Sequence, residues 1–458
     1  MGTFHLNLNQ QPQIMETVNI FWFRRDLRTD DNHGLFEALN AGLPVVPVFI
    51  FDPAILARFP DPKDARLTFI HKALAELHHE FERHNSSLQV YFSSPEVVFK
   101  QLTAKYPIQC VYANTDYEPA AIERDQKIEK LLNSLQVGFK TFKDQVIFHQ
   151  DEVVKSNGKP YTVFTPYSKK WKERLSNEDI TLYESEKLLF NLKHLVPGYF
   201  PELTEIGYQP VNREFASKNF DRLLIENYAH TRDFPALNGT SRLSIHLRFG
   251  TVSIRKLTLF ARQYSEVFLN ELIWRNFYMD ILWHFPHAAT SSFKPAYDFI
   301  PWRNNEDEFQ RWCNGQTGYP LVDAGMREMN ATGYMHNRVR MVVASFLTKH
   351  LLIDWRWGEA YFAAKLLDYE MASNNGGWQW ASGSGCDAAP YFRVFSPEVQ
   401  TRRYDHSFTY IKKWVPEYGT KAYPSPMVDH AFARERAIET YRKALRLHPV
   451  KNQPEMNL

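Results

Sequence analysis

Five short apolar runs in the first third of the chain limit what it can fold into. Val18–Phe23, Val45–Phe51, Leu88–Phe92 and Ile108–Tyr112 read as strands, and Phe139–Phe142 is a weaker fifth. Helical patterns lie between them. The clearest is Asp64–Arg83, where Leu67, Ile70, Leu74, Leu77 and Phe81 recur at helical spacing. Alternating strand and helix predicts a parallel five-stranded sheet covered by helices. No Gly-x-Gly-x-x-Gly and no Gly-x-x-x-x-Gly-Lys-Ser/Thr occurs there, so a dinucleotide held in the usual way is not expected in this part.

From about residue 206 onward strand signals fade. Helical periodicity dominates at Phe268–Trp283, Tyr319–Met329, Asn337–Lys349 and Trp357–Leu367. Residues 1–16 are polar and Gln/Asn-rich, without a signal-peptide core, and read as a disordered leader. The expected organisation is that leader, an α/β domain over 17–150, a connector over 151–205 and a helical domain over 206–458. Formal charge is +2, which announces no nucleic-acid binder. Residues 201–458 nevertheless carry 31 Lys and Arg against 27 Asp and Glu, together with nine of the eleven tryptophans. Three scattered cysteines predict a reducing compartment, taken here as the cytoplasm, and no disulfide framework. No metal-ligand spacing is present, so no metal is expected. The longest apolar run, residues 43–56, is broken by Pro44, Pro47, Asp52 and Pro53, so no membrane span is expected.

Four stretches of the helical part carry chemistry. In Tyr228–Ser244, the hydroxyls of Thr240, Ser241 and Ser244 join Arg242 and free backbone N–H groups at a helix start, a donor set for phosphate oxygens. A plain Ser/Thr N-cap explains the same residues. In Phe268–Tyr278, Glu271, Trp274, Arg275 and Tyr278 share one helical face; a ligand-facing stripe and a solvated Glu–Arg pair are both open. In Gly333–Met341, Asn337, Arg340 and Met341 share a face while Arg338 is expected to point elsewhere, and His336 receives no role. Leu366–Pro397 holds Asp368, Glu370, Asn374, Asn375, Gly376, Gly377, Trp378 and Trp380 within little more than a dozen residues. Asn-Asn-Gly-Gly is costly in a helix, so the stretch is expected to be a wall against a flat, polar-edged ligand rather than a core helix.

These motifs, with FWFRRDLRTDDN at Phe21–Asn32, resemble the photolyase/cryptochrome family in fixed order over residues 17–430. NNGGWQWASGSGCDAAPYFR is similar to the class I cyclobutane pyrimidine dimer DNA photolyases. The resemblance implies a Rossmann-like α/β domain followed by an all-α FAD-binding domain. It implies FAD held by Tyr228, Thr240, Ser241, Arg242, Leu243, Ser244, Phe268, Arg275, Asn337, Arg340, Asp368, Glu370 and Asn374. Asn374 matches the position opposite flavin N5, where a neutral amide suits the anionic reduced flavin that carries out repair. The implied substrate is DNA containing pyrimidine dimers. Arg232, Arg338 and Gln400 match contacts to DNA. Trp274, Trp380, Met341, Asn337 and Glu271 match contacts to the flipped dimer, and Glu271 is the acid on its carbonyl. Trp378, Trp355 and Trp302 match the electron route from the surface to the flavin.

The implied activity is light-driven dimer splitting by electron transfer, in a monomer. The alternative is a blue-light photoreceptor without repair. A folate, a deazaflavin or a second flavin could serve as antenna. Asn114, Tyr117 and Glu118 match positions where some relatives contact a folate, and Ala289 stands where folate binders carry a lysine.

Overall fold

A computed structural model describes residues 16–196 and 198–447; the expected leader, apart from Glu16, lies outside the described residues. Five parallel strands, β1 (Val18–Phe23), β2 (Val45–Phe51), β3 (Gln89–Phe92), β4 (Ile108–Asn114) and β5 (Gly138–Phe142), form one sheet in the order β3-β2-β1-β4-β5. β1 is central, pairing Ile20 with Val46 on one side and with Val111 on the other. All six of its residues are buried, as a strand covered on both faces requires. Helices α1 (His33–Leu39), α2 (Ala65–Arg83), α3 (Pro95–Lys105) and α4 (Pro119–Ser134) supply the crossovers. The result is the doubly wound α/β arrangement with strand order 3-2-1-4-5.

The chain forms two compact units. Among the described residues, one is built from 16–115, 124–144 and 183–211, the other from 116–123, 145–182 and 212–447. The stretch expected as a connector is therefore divided. Its later half packs on the sheet unit: Leu192 bridges to Val45, Lys193 N–H donates to Val45 O at 2.8 Å, and Asn191 Nδ2 donates to Leu39 O at 3.1 Å. Its earlier half contains α5 (Phe164–Arg174), whose Tyr167 and Trp171 enter a core of the helical unit.

The helical unit continues with α6 (Tyr228–Thr231), α7 (Ser244–Phe249), α8 (Glu266–His284), α9 (Pro320–Thr332), α10 (Asn337–Ser345), α11 (Trp355–Lys365), α12 (Met371–Ser382), α13 (Pro397–Tyr404) and α14 (His430–Leu447). α12 corrects the expectation for Asn374–Gly377, because these residues are helical. Two glycines cost about 2 kcal/mol of helix propensity between them, and tertiary packing overrides it. A Cβ on Gly376 would overlap the Tyr278 ring of α8, and a Cβ on Gly358 of α11 would overlap the Trp378 indole of α12. The glycines let α12 press against α8 on one side and α11 on the other. Gly383, in the left-handed region at φ 92°, ends the helix.

Asp323 on α9 ties the turn before its own helix to a distant loop. Its buried carboxylate accepts from Thr317 N and Oγ1 (both 2.7 Å), Gly318 N (3.0 Å) and Tyr423 Oη (2.5 Å). Asp323→Ala leaves four donors without an acceptor. It should lower the unfolding free energy by at least about 3 kcal/mol in urea titrations followed by circular dichroism. A loss below about 1 kcal/mol would mean the loop is held some other way.

Candidate functional site

Tyr334 gathers the residues expected around a phosphate-bearing ligand. Its hydroxyl lies 3.1 Å from Thr240 Oγ1, the Arg242 guanidinium sits 4.8 Å from its ring centre, and Arg340 sits 5.9 Å from it. Arg242 is held at φ 52°, a left-handed conformation that costs a non-glycine residue about 1 kcal/mol. Leu243, not a Ser or Thr, is the N-cap of α7, and no side chain caps that end. Ser241 Oγ accepts from the Leu243 N–H at 3.4 Å just before the helix, and among the described residues no such bond is made by Thr240 or Ser244. Arg340 donates to both Asp368 oxygens (2.9 and 3.2 Å) and through Nε to Met335 O (2.7 Å). His336 caps α10 by accepting the Arg338 N–H at Nδ1 (3.2 Å). Burial, then the Arg338 and Arg340 charges, push its pKa down to about 4. It is thus neutral at pH 7, as that acceptor role requires.

The α8 stripe divides. Glu271 pairs with Arg232 at 2.5 Å, whereas Arg275 turns to Glu370 (3.3 Å), Leu247 O (3.3 Å) and Gln145 O (2.5 Å). The local Glu271–Arg275 pair does not form. Burial raises the Glu271 pKa, and Arg232 opposes that rise. Arg232 also lies 5.3 Å from the Tyr228 ring, which packs edge-on against Phe268 at 5.1 Å. Phe164 stacks on Trp274 at 3.6 Å and 5°, covering one face of this indole, while Phe277 packs edge-on at 5.7 Å and Tyr278 lies tilted at 5.5 Å. Glu271, Trp274 and Arg232 line an open cleft of about 540 Å³.

Arg338 does not point away from Met341, contrary to expectation. Its Nη1 lies 3.8 Å from the Met341 sulfur, Nη2 pairs with Asp233 at 2.5 Å, and the guanidinium stacks 4.4 Å from the Tyr404 ring. Gln400 lies one turn before Tyr404 on α13. Trp380 is half-buried and, with Tyr278, lines a small apolar cavity.

Asn374 on α12 donates both of its amide hydrogen bonds to Glu359 of α11, to Oε1 at 2.9 Å and to the main-chain O at 3.2 Å. Tyr369 Oη also reaches Glu359 Oε1, at 3.3 Å. Burial raises the Glu359 pKa, and these two donors oppose it. No described residue donates to Asn374 Oδ1. Glu359 carries no sequence signal beyond being an acid inside an apolar helix. Phe164 likewise gave none.

Trp355 and Trp378 belong to one core cluster, with Trp302 packed against it, and all three indole N–H groups are buried without a partner among the described residues. Gly358 brings α11 against Trp378 one turn after Trp355.

These donors fit FAD. Arg242, Ser244 and Asn337 are exposed, Arg340 is fixed by Asp368, and a Cβ on Gly377, one turn from Asn374, would meet only open space. The positions matched to a folate have partners within the protein. Asn114 donates to Asp26 (2.6 Å) and Asn32 (2.8 Å) within the sheet unit. In the helical unit Tyr117 Oη meets His149 (2.7 Å), Glu118 pairs with Arg248 (2.6 Å), and Ala289 O accepts from Asn375 (3.3 Å). Among the described residues no His/Cys/Asp/Glu cluster could hold a metal ion, and no helix is long and apolar enough to cross a membrane.

Residues 268–420 match a family model described as the FAD binding domain of DNA photolyase, and residues 19–185 match one described as DNA photolyase. A deoxyribodipyrimidine photo-lyase of Vibrio cholerae is 36% identical, over 93% of this chain and 100% of the relative. Among solved structures, a bacterial class III photolyase from Agrobacterium tumefaciens is 31% identical with a TM-score of 0.84, covering 96% of this chain and 100% of that one. A Synechocystis cryptochrome is 25% identical with a TM-score of 0.80, covering 93% and 99%.

Asp368→Ala leaves the Arg340 guanidinium with one protein acceptor, Met335 O. FAD should bind about thirtyfold more weakly, roughly 2 kcal/mol, in a titration of apoprotein followed by flavin fluorescence. Unchanged affinity would remove the pair from the cofactor pocket.

Proposed function

Because the chain belongs to the photolyase/cryptochrome family, we propose that it repairs cyclobutane pyrimidine dimers in DNA under light, as a class I enzyme. The observation that carries this reading is the Asn374–Glu359 hydrogen bond. It fixes the amide so that Oδ1, a neutral acceptor, is the end left for the ligand. A carboxylate there would repel an anionic reduced flavin; an amide does not. When bound and reduced, FAD supplies the electron that opens the dimer and takes it back.

The remaining work is done by the chain's own side chains. Trp274, held by Phe164, is the indole assigned to a pyrimidine ring. Trp380 and Met341 complete an apolar pocket for a dimer whose damaged stacking makes it cheaper to flip. Glu271, whose pKa burial raises while Arg232 opposes the rise, is the acid assigned to a dimer carbonyl. Arg232, Arg338 and Gln400 anchor the DNA. Trp378, Trp355 and Trp302 restore the reduced cofactor from the surface. The protein works as a cytoplasmic monomer.

The second reading is a photoreceptor without repair, favoured by the likeness to a cryptochrome structure. Incubating the reduced protein with a thymine-dimer oligonucleotide under blue light decides between them. Repair should restore intact thymines in the light and not in a dark control. Absence of repair by protein holding reduced FAD would favour the photoreceptor.

A further inference from the structure

The two indoles assigned to the flipped dimer sit on different helices. Trp274 belongs to α8, and α5 is fastened along that helix. Tyr167 Oη donates to Asp280 Oδ2 at 2.6 Å, Ser168 Oγ to Asn270 Oδ1 at 3.2 Å and Trp171 Nε1 to Asn276 Oδ1 at 3.1 Å. Phe164, the first residue of α5, lies stacked on the Trp274 ring. Trp380 belongs to α12, and the loop after α12 folds back onto it. Gly385 N–H donates to Gln379 O at 3.1 Å, and a Cβ on Gly385 would lie 3.3 Å from Trp380 N. Trp380, Gly385 and Asp387 line the same small cavity.

α12 meets α8 through Gly376 and the Tyr278 ring, an apolar contact without directional preference. A directional tie comes from the loop. The half-buried Asp387 accepts the Phe164 N–H at Oδ2, at 3.0 Å and 223 residues away along the chain. Val163, the N-cap of α5, makes no side-chain capping bond, so Asp387 caps α5 from outside. A carboxylate also suits the positive end of a helix. We propose that Asp387 is a positioning residue for the dimer. By holding Phe164 it fixes the gap between Trp274 and Trp380, and so how tightly the pocket grips the lesion. It acts through Phe164 rather than on the lesion itself. The assignment rests on the repair reading.

The test compares binding of the FAD-loaded protein to a dimer-containing duplex and to the same duplex undamaged. An acid near DNA repels it, so loss of the charge alone would tighten binding to both. Asp387→Ala should instead lower the preference for the dimer about tenfold, the effect of one lost hydrogen bond to a charged group. Affinity for undamaged duplex should not fall. Asp387→Asn keeps an oxygen acceptor at the same reach without the charge, and should retain the wild-type preference. Asp387→Glu keeps the charge but lengthens the side chain by one methylene, and should lose preference as Asp387→Ala does. Equal FAD content in all four proteins excludes a folding defect; should Asp387→Ala lose FAD, the comparison of Asn with Glu decides alone. If wild type prefers the dimer and Asp387→Glu keeps that preference, or Asp387→Asn loses it, the assignment is overturned while the repair reading stands. If wild type shows no preference, both fall.

Discussion

The close approach of α12 to α8 and α11 is the constraint on which the site depends. Gly376 admits the Tyr278 ring, and Gly358 admits the Trp378 indole. Any larger side chain at either position would push α12 outward. Asn374, Trp378 and Trp380 ride on that helix, so their distances from the neighbouring helices are set by two missing side chains. The Asn374–Glu359 bond is a direct consequence, because it spans the α11–α12 contact. Helix propensity is sacrificed for position, a trade expected where a functional surface overrides local preference.

Charge in the helical unit shows a second pattern: four of its cations, three of them expected to meet DNA or cofactor, are held in advance by acids. Arg340 rests on Asp368, Arg232 on Glu271, Arg338 on Asp233 and Lys172 on Glu266. Each acid limits rotamer freedom before a ligand arrives, which lowers the ordering cost of binding. The pairs differ in exposure. Asp368 is largely enclosed, whereas Glu266 is open to solvent. Enclosed pairs suit a resident cofactor, and exposed ones suit a substrate that comes and goes with ionic strength.

The sheet was legible in the sequence because each strand is a compact apolar run, and β1, buried on both faces, has no alternation to mislead the eye. The site motifs were legible as local clusters, and Tyr334 shows how Thr240, Arg242 and Arg340, separated by about a hundred residues, come together. What stayed hidden lies between elements. Glu359 and Phe164 matter only through partners on other helices. The return of residues 183–211 to the sheet unit depends on main-chain bonds to Val45. Arg338 turns towards Met341 because Asp233 and Tyr404 hold it there, and α12 is helical because its neighbours fit its glycines. No window along the chain contains that information.

Repair requires that one pocket of the helical unit bring a pyrimidine dimer to the reduced flavin. The most direct measurement is the fluorescence lifetime of the reduced flavin in the purified protein, with saturating dimer-containing DNA and with the same DNA undamaged. Electron transfer to the lesion should shorten the lifetime only with the dimer present. An identical lifetime with both DNAs, under conditions where the dimer is bound, would contradict a repair pocket of this kind.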